Sequence, residues 1–258
     1  MFPQVFRGLQ GWRLYFYNLP YMRKSRIAGL LLVSMATLAQ QQQPVEITSE
    51  PRHHHVFENQ YVRVFNVTVE PKGSTLVHRH NYDYLFVTLG DSQVASVRPG
   101  EKPVELSLKD GEVRFTQGKF AHAAINRSDK LFHNITIELL SPSSNVKSCT
   151  EGCEVPVACI SAGSGCPTIE RRITSDQWTA SLVKIPPRAR LEDHVPASPY
   201  LLVAVSALNL GGGSSDPQTN LTLAPGGLSW VHAPGHTIVN NSSAPAAFVT
   251  LEFNGAKK

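Results

Sequence analysis

The second half of this chain repeats the pattern of the first half, and this repeat limits the fold more than any other feature. Residues 78–89, HRHNYDYLFVTL, align with residues 194–205, HVPASPYLLVAV, at a spacing of 116 positions. The same spacing aligns Gly111 with Gly227. A repeat of this extent within 258 residues predicts that the chain is a tandem duplication of one domain.

Apolar and polar residues alternate with a period of two along many short segments. Clear examples are residues 61–69, 84–89, 104–108 and 131–139. Glycine, proline and aspartate residues stand between these segments. Short alternating segments separated by turn residues favour an all-β sandwich or barrel for each half of the chain.

The N-terminus has the order of a secretory signal peptide. A basic stretch at residues 22–26 precedes an apolar run at residues 27–39, which ends in small residues before a glutamine-rich segment. The run is shorter than the roughly 20 residues that span a bilayer. We therefore expect residues 1–39 to be a cleaved signal peptide, with a membrane anchor as the alternative. Met22 fits the start of such a signal, which leaves open whether residues 1–21 are translated.

Export predicts a periplasmic or extracellular protein with no stable membrane insertion after cleavage. It also explains the net charge of +4, because residues 1–39 contain five basic residues and no acidic residue. The rest of the chain has 19 basic and 20 acidic residues. A body this close to neutrality lacks the electrostatic footprint of a nucleic-acid-binding protein, so we expect no nucleic-acid partner.

All four cysteines lie close together between the two repeats. They are Cys149, Cys153, Cys159 and Cys166. In an oxidising compartment two disulfides are expected, and the sequence does not choose among the three pairings. A four-cysteine metal site is the alternative, although the spacings lack the paired CxxC knuckles of such sites.

Three histidines of the first repeat have the spacing of a metal site. His78 and His80 form a His-x-His pair, and alternate residues of a strand project from the same face. His122 follows some forty residues later, where a neighbouring strand would bring it to the pair. Three imidazoles that leave open coordination positions suit Fe, Mn, Zn, Ni or Cu.

These residues resemble the two sequence motifs of the cupin superfamily. Gly73, His78, His80 and Gly90 match the first motif, and Gly111, Gly118, His122 and Asn126 match the second. The resemblance implies two tandem cupin-type jelly-roll β-barrels. It also implies one divalent metal ion, held by His78, His80 and His122.

The glutamate of the first cupin motif is missing from this sequence. Counting back from Gly90 places Asp83 in its position, whereas counting forward from His80 places Tyr84 there. We favour Asp83 as the fourth metal ligand. The alternative is that Tyr84 fills the position and that the site has three histidine ligands only.

The predicted domains follow from the repeat and from the extent of the resemblance. We assign residues 44–145 to an N-terminal cupin domain with the metal site, residues 146–168 to a Cys-rich linker and residues 169–256 to a degenerate C-terminal cupin domain. In the second repeat, Pro196 stands where the first has His80, so we do not expect that repeat to bind metal. His194 and His236 are its remaining matches.

The residues 53–55, three consecutive histidines, precede the first alternating segment and are interpreted as an exposed linker. The alternative is that one of them lies at the mouth of the metal site.

The family resemblance implies a small-molecule ligand or substrate and leaves the activity open. The leading hypothesis is an exported bicupin, in which the metal serves an oxygenase- or isomerase-type reaction. The alternative is a non-catalytic protein that binds a sugar or another small ligand, because cupin-like folds serve both purposes. Pairing through sheet edges to form a homodimer is a further expectation.

Overall fold

The alternating segments form strands throughout the computed structural model, which describes residues 43–157, 165–192, 198–212, 220–232 and 237–254. The predicted signal peptide, with Met22, lies outside these residues. So do Cys159, His194, Pro196 and His236. In the described ranges no helix is long and apolar enough to cross a membrane.

The N-terminal barrel consists of two facing sheets. Its strands are β1 (Val45–Glu46), β2 (His53–Glu58), β3 (Val62–Val69), β4 (His78–His80), β5 (Tyr84–Leu89), β6 (Ser92–Val97), β7 (Val104–Leu108), β8 (Val113–Thr116), β9 (Phe120–Asn126) and β10 (Phe132–Leu139). One sheet has the order β1-β4-β9-β6-β7 and the other the order β2-β3-β10-β5-β8. A single turn of 3-10 helix, Ile47–Ser49, links β1 to β2.

The C-terminal barrel has the same construction. Its strands are β11 (Lys147–Ser148), β12 (Glu154–Val155), β13 (Thr168–Thr174), β14 (Trp178–Ile185), β15 (Arg190–Leu191), β16 (Tyr200–Ala204), β17 (Leu208–Gly212), β18 (Leu221–Leu223), β19 (Leu228–Val231), β20 (Ile238–Asn240) and β21 (Ala246–Phe253). One sheet has the order β11-β13-β14-β21-β16-β19, with β12 beside β13, and the other has the order β15-β20-β17-β18. The predicted tandem jelly-roll fold is confirmed.

The central strands are apolar on both faces because each face meets a different core. On β3, Phe65, Val67 and Val69 point into the N-terminal barrel, whereas Val62 and Val64 point outward. The outward residues join a core that includes Leu182 and Leu251 of the C-terminal barrel. The two barrels therefore pack sheet against sheet, within one compact unit.

The sequence alignment of the repeats needs a correction of one position at a turn glycine. The N–H of Gly111 donates to the carbonyl of Thr88, and the N–H of Gly226 donates to the carbonyl of Ala204 in the same way. Both glycines have a left-handed backbone, with φ of +72° and +81°. The structural equivalent of Gly111 is therefore Gly226 and not Gly227.

The Cys-rich segment contains a disulfide between Cys149 and Cys153, as the sequence predicts for an oxidising compartment. Cys166 is also disulfide-bonded. The segment includes β11 and β12, which pair with β13 at the edge of the C-terminal barrel.

Candidate metal centre

Strand pairing brings the three predicted histidines together inside the N-terminal barrel. His78 on β4 lies directly opposite His122 on β9 in the antiparallel register. His80 follows two residues later, so its side chain lies on the same face as that of His78. All three side chains are buried.

The three imidazoles point the same type of nitrogen at one another. The Nε2 atom of His80 lies 3.1 Å from Nε2 of His78 and 3.2 Å from Nε2 of His122. The opposite nitrogens face the protein: Nδ1 of His78 lies 2.9 Å from the carbonyl oxygen of Leu76, and Nδ1 of His122 lies 2.8 Å from Oγ of Ser96. Because a carbonyl can only accept, His78 carries its proton on Nδ1 and presents the lone pair of Nε2 to the cluster.

Burial keeps these imidazoles neutral. It lowers the pKa of His122 to about 3, with His78 among the neighbours that lower it further. Burial likewise lowers the pKa of His78 to about 4, and it lowers the pKa of His80 well below its ordinary value. Neutral imidazole is the form that binds metal ions.

A fourth histidine, His53, joins this cluster from the facing sheet. It lies on β2 opposite Val67, is buried, and has its ring centroid 4.4 Å from that of His78. Ligand nitrogens of His53, His78 and His80 all lie within 4.8 Å of one another. The interpretation of residues 53–55 as an exposed linker is therefore wrong for His53, although His54 and His55 are exposed.

The carboxylate of Glu50 lies directly behind His53. Its Oε2 is 2.6 Å from Nδ1 of His53, and it also accepts hydrogen bonds from the backbone N–H groups of Arg52 and Leu76. Burial alone would raise the pKa of Glu50, but these hydrogen bonds hold it below its ordinary value. The run of three histidines at 53–55 was the sequence signal for this position, but it did not show which of them is buried, and nothing in the sequence marked Glu50.

The structure does not bring Asp83 to the histidines. The Oδ1 atom of Asp83 accepts a hydrogen bond of 2.8 Å from the N–H of Gly118, and the side chain lines a separate cavity beside Ser144. Gly118 passes so close to the carbonyl of Tyr82 that a side chain at this position would collide with it. The motif glycine and Asp83 thus hold the end of β4 against the start of β9.

Tyr84, the other candidate for the fourth position, packs against the cluster without facing it as a ligand. Its ring stacks on that of His80 with centroids 4.0 Å apart and an interplanar angle of 15°. Burial raises the pKa of Tyr84 to about 12, partly offset by its hydrogen bond with Thr116. The phenol therefore stays protonated, and its hydroxyl is directed toward Thr116.

The histidines lie at the wall of a cavity of about 420 Å³ inside the N-terminal barrel. This volume is in the range of small-molecule sites. Much of the lining is apolar, with Phe86, Leu106 and Phe132 among the contributors. Arg98 lines the exposed rim of the cavity, where its guanidinium carbon lies 4.1 Å from the ring centroid of Phe120 and its charge helps to lower the pKa of His122. Within the described residues, Arg98 makes no ion pair.

The C-terminal barrel has a different interior. Among the described residues, apolar side chains form its core, and Tyr200, Leu202 and Phe248 are almost fully buried there. Tyr200 occupies the position equivalent to Tyr84. The two histidines that the sequence aligns with the first site lie outside the described residues, so the expectation for this repeat stays a prediction.

Known structures share this architecture, although neither a protein-family model nor a curated protein matches the sequence. AerE from Microcystis aeruginosa is similar over 80% of this chain and 99% of its own, with 9% identity and a TM-score of 0.54. The oxalate decarboxylase of Bacillus subtilis, a protein with Mn(II) centres, is similar over 81% of this chain and 76% of its own, with 13% identity and a TM-score of 0.52. A cupin domain from Bordetella pertussis Tohama I covers 38% of this chain and 98% of its own, with 25% identity and a TM-score of 0.33.

The likeness to the longer structures extends over both barrels, and at these identities it is one of fold. The chain thus shares the two-barrel fold of these structures, as the cupin resemblance of the sequence implies.

Proposed function

We propose that this protein is a metal-dependent enzyme that acts on a small organic anion, with one divalent transition metal ion bound by His78, His80 and His122. The observation that carries the proposal is the convergence of three imidazole Nε2 atoms, at distances of 3.1 and 3.2 Å, at the wall of a cavity of about 420 Å³. The outer nitrogen of His78, Nδ1, donates to a backbone carbonyl, and a hydrogen bond of this kind is typical of metal-binding histidines.

The donor set fits a transition metal. Lone pairs that converge in a buried site repel one another unless a cation or a proton lies between them, and imidazole nitrogen is a preferred donor for Fe, Ni, Cu and Zn. The Nδ1 atom of His80 is buried and has no hydrogen-bond partner among the described residues, so the protein does not fix this ring through its outer nitrogen. The ring of Tyr84 holds it by stacking instead.

The residues around the cluster support an anionic substrate with an apolar body. When bound, the metal ion would polarise a carboxylate or carbonyl oxygen of the substrate, or supply redox chemistry if it is iron or manganese. Arg98 would bind an anionic group at the rim, because its guanidinium is free of a carboxylate partner in the described structure. The phenylalanines Phe86 and Phe132 would exclude water from the apolar part of the substrate.

Metal content per chain, measured by plasma mass spectrometry on the untagged full-length protein, tests the metal site. We expect about one transition metal ion per chain, and its loss in a His78→Ala/His122→Ala double variant. A His54→Ala/His55→Ala double variant is the matched control, because these two histidines are exposed. Absence of metal from the wild type after reconstitution would refute the proposal.

The same samples separate an enzyme from a protein that only binds a ligand. An enzyme would lose turnover when a chelator removes the metal and would regain it on reloading. If the chelated protein keeps its affinity for a copurifying small molecule, the non-catalytic alternative is correct.

We also propose that the protein is exported, on the basis of residues 22–39. The N-terminal sequence of the mature protein tests this proposal, and we expect it to begin at Gln40. A mature protein that retains residues 22–39 would contradict cleavage and would favour the membrane anchor.

A further inference from the structure

Glu50 connects two histidines of the cluster through three hydrogen bonds. Its Oε2 lies 2.6 Å from Nδ1 of His53, and its Oε1 accepts a bond of 3.0 Å from the N–H of Leu76. The carbonyl of Leu76 in turn accepts from Nδ1 of His78. One carboxylate, only 2% exposed, therefore orients His53 directly and His78 through the backbone of a single residue, Leu76.

The position of His53 matches that of a ligand better than that of a structural residue. With Nδ1 engaged by Glu50, its free ring nitrogen is Nε2, the same nitrogen that the other three histidines direct into the cluster. The ligand nitrogens of His53, His78 and His80 lie within 4.8 Å of one another. Two nitrogens that bind one tetrahedral zinc ion at about 2.0 Å are about 3.3 Å apart, so ligation requires His53 to move toward the cluster by up to about 1.5 Å.

We propose that His53 is the fourth metal ligand of this site and that Glu50 is its positioning residue. This inference rests on the proposed metal site. The imidazole of His53 comes from the facing sheet and takes the place of the carboxylate ligand that the cupin resemblance implies. Asp83, the expected carboxylate, is instead bound to the backbone of Gly118. A glutamate hydrogen-bonded to the outer nitrogen of a ligating histidine is a common device in metal sites, since it fixes the tautomer and raises the basicity of the ligand.

Ligation by four histidines would set the net charge of the metal centre. Four neutral imidazoles leave the full double positive charge on a divalent ion, whereas a carboxylate ligand would reduce it by one. The carboxylate of Glu50 lies behind His53 and would act on the metal only through that ring. Such a centre favours an anionic substrate. It also favours metal ions that prefer nitrogen ligands, rather than Mn(II), which prefers oxygen ligands.

Zinc affinity and the visible absorption spectrum of the cobalt(II)-loaded full-length protein test the proposal. We expect His53→Gln to weaken zinc binding by at least about 10-fold, and Glu50→Gln by about 10- to 100-fold. Both variants should change the cobalt spectrum, which reports the number and type of ligands. His55→Gln is the matched control, because His55 lies on the same strand and is exposed.

Two further variants separate this inference from the proposed function. Asp83→Asn keeps the oxygen that accepts from Gly118, and we expect wild-type zinc affinity and an unchanged cobalt spectrum. If Asp83→Asn loses metal while His53→Gln keeps it, the fourth ligand is the carboxylate and the inference is wrong. If His78→Ala also binds zinc as tightly as the wild type, the proposed metal site itself fails.

Chemical rescue keeps the test decisive if a substitution perturbs folding. In a His53→Gly variant, added imidazole should restore the wild-type cobalt spectrum, because a free imidazole can occupy the position of the lost ligand. A residue that only supports the fold would not give this recovery. A wild-type cobalt spectrum in His53→Gly without imidazole would overturn the proposal.

Discussion

Asn126 and Asn240 make the same hydrogen bonds in the two barrels. The Nδ2 atom of Asn126 donates to the carbonyls of Val69, Glu70 and Lys130, and that of Asn240 donates to the carbonyls of Ile185, Pro186 and Ala244. The Oδ1 atoms accept from the backbone N–H groups of Ser128 and Ser242 respectively. Each amide therefore ties the end of one strand to two separate segments of its own barrel.

Replacing either asparagine by aspartate should destabilise the protein to a similar degree. Asn126→Asp or Asn240→Asp puts a carboxylate oxygen against three buried or partly buried carbonyls, which then lose their donor. We expect the free energy of unfolding to fall by about 2 kcal/mol or more in each variant. Urea denaturation followed by circular dichroism measures this loss. Asn145→Asp, at an exposed position, is the control.

The equivalence of these asparagines would be contradicted if only one substitution destabilised the chain.

The equivalence of the two asparagines was predictable from the sequence, because the strand and the turn that follows it keep the same spacing in both copies. The alignment of Gly226 with Gly111 was not predictable from the sequence. A one-residue change in the loop before Gly226 shifts the sequence alignment without changing the hydrogen bonds of the turn.

The candidate site was predictable only where its residues lie on one sheet. Period-two alternation places His78 and His80 on one face of β4. Pairing of β4 with β9 then places His122 beside them. His53 comes from the opposite sheet, and its approach depends on the curvature of the barrel, which the sequence does not record. The motif count gives Asp83 a position along the chain but not the direction of its side chain, which in the structure accepts a hydrogen bond from Gly118.

Gly118→Ala should weaken both the fold and the metal site. The added methyl group would collide with the carbonyl of Tyr82, so the backbone must move. The next residue, Lys119, donates its N–H to the carbonyl of His80, and that displacement would reach a ligand. We expect a lower melting temperature and weaker zinc binding, measured by calorimetry.

Gly100→Ala separates the collision from backbone strain. Gly100, unlike Gly118, has a positive φ, and nothing lies within 4 Å of the position that its side chain would take. This variant should cost only about 1–2 kcal/mol of stability, from the left-handed backbone, and should bind zinc like the wild type. Equal zinc affinity in both variants would show that the close approach at Gly118 does not position His80.

Ionisation of the buried Glu138 should lower the free energy of unfolding of the protein at neutral pH and above. Burial raises the pKa of Glu138 to about 7, although the nearby Arg63 opposes the shift. The folded chain then binds more protons than the unfolded chain between pH of about 4.5 and about 7. The contribution of Glu138 to stability therefore falls as the pH rises through this window and stays low above it.

The measurement is the melting temperature of wild type and Glu138→Gln at pH 5 and pH 8. The variant stays neutral at both values, so its advantage over the wild type should be larger at pH 8. Glu151→Gln, at an exposed position, should show no such difference. A constant gap between wild type and Glu138→Gln would mean that Glu138 is already ionised at pH 5.

Arg98→Gln should remove the preference of the cavity for anions. The guanidinium lies at the rim beside Phe120, where it can bind a carboxylate whose apolar body enters the barrel. In the zinc-loaded wild type we expect benzoate to bind at least about 10-fold more tightly than benzyl alcohol, a difference of about 1.4 kcal/mol. Arg98→Gln should reduce that ratio, and Arg127→Gln, whose side chain pairs with Glu105, should not. Titration calorimetry gives both affinities; a ratio that survives in Arg98→Gln would assign the anion preference to the metal ion alone.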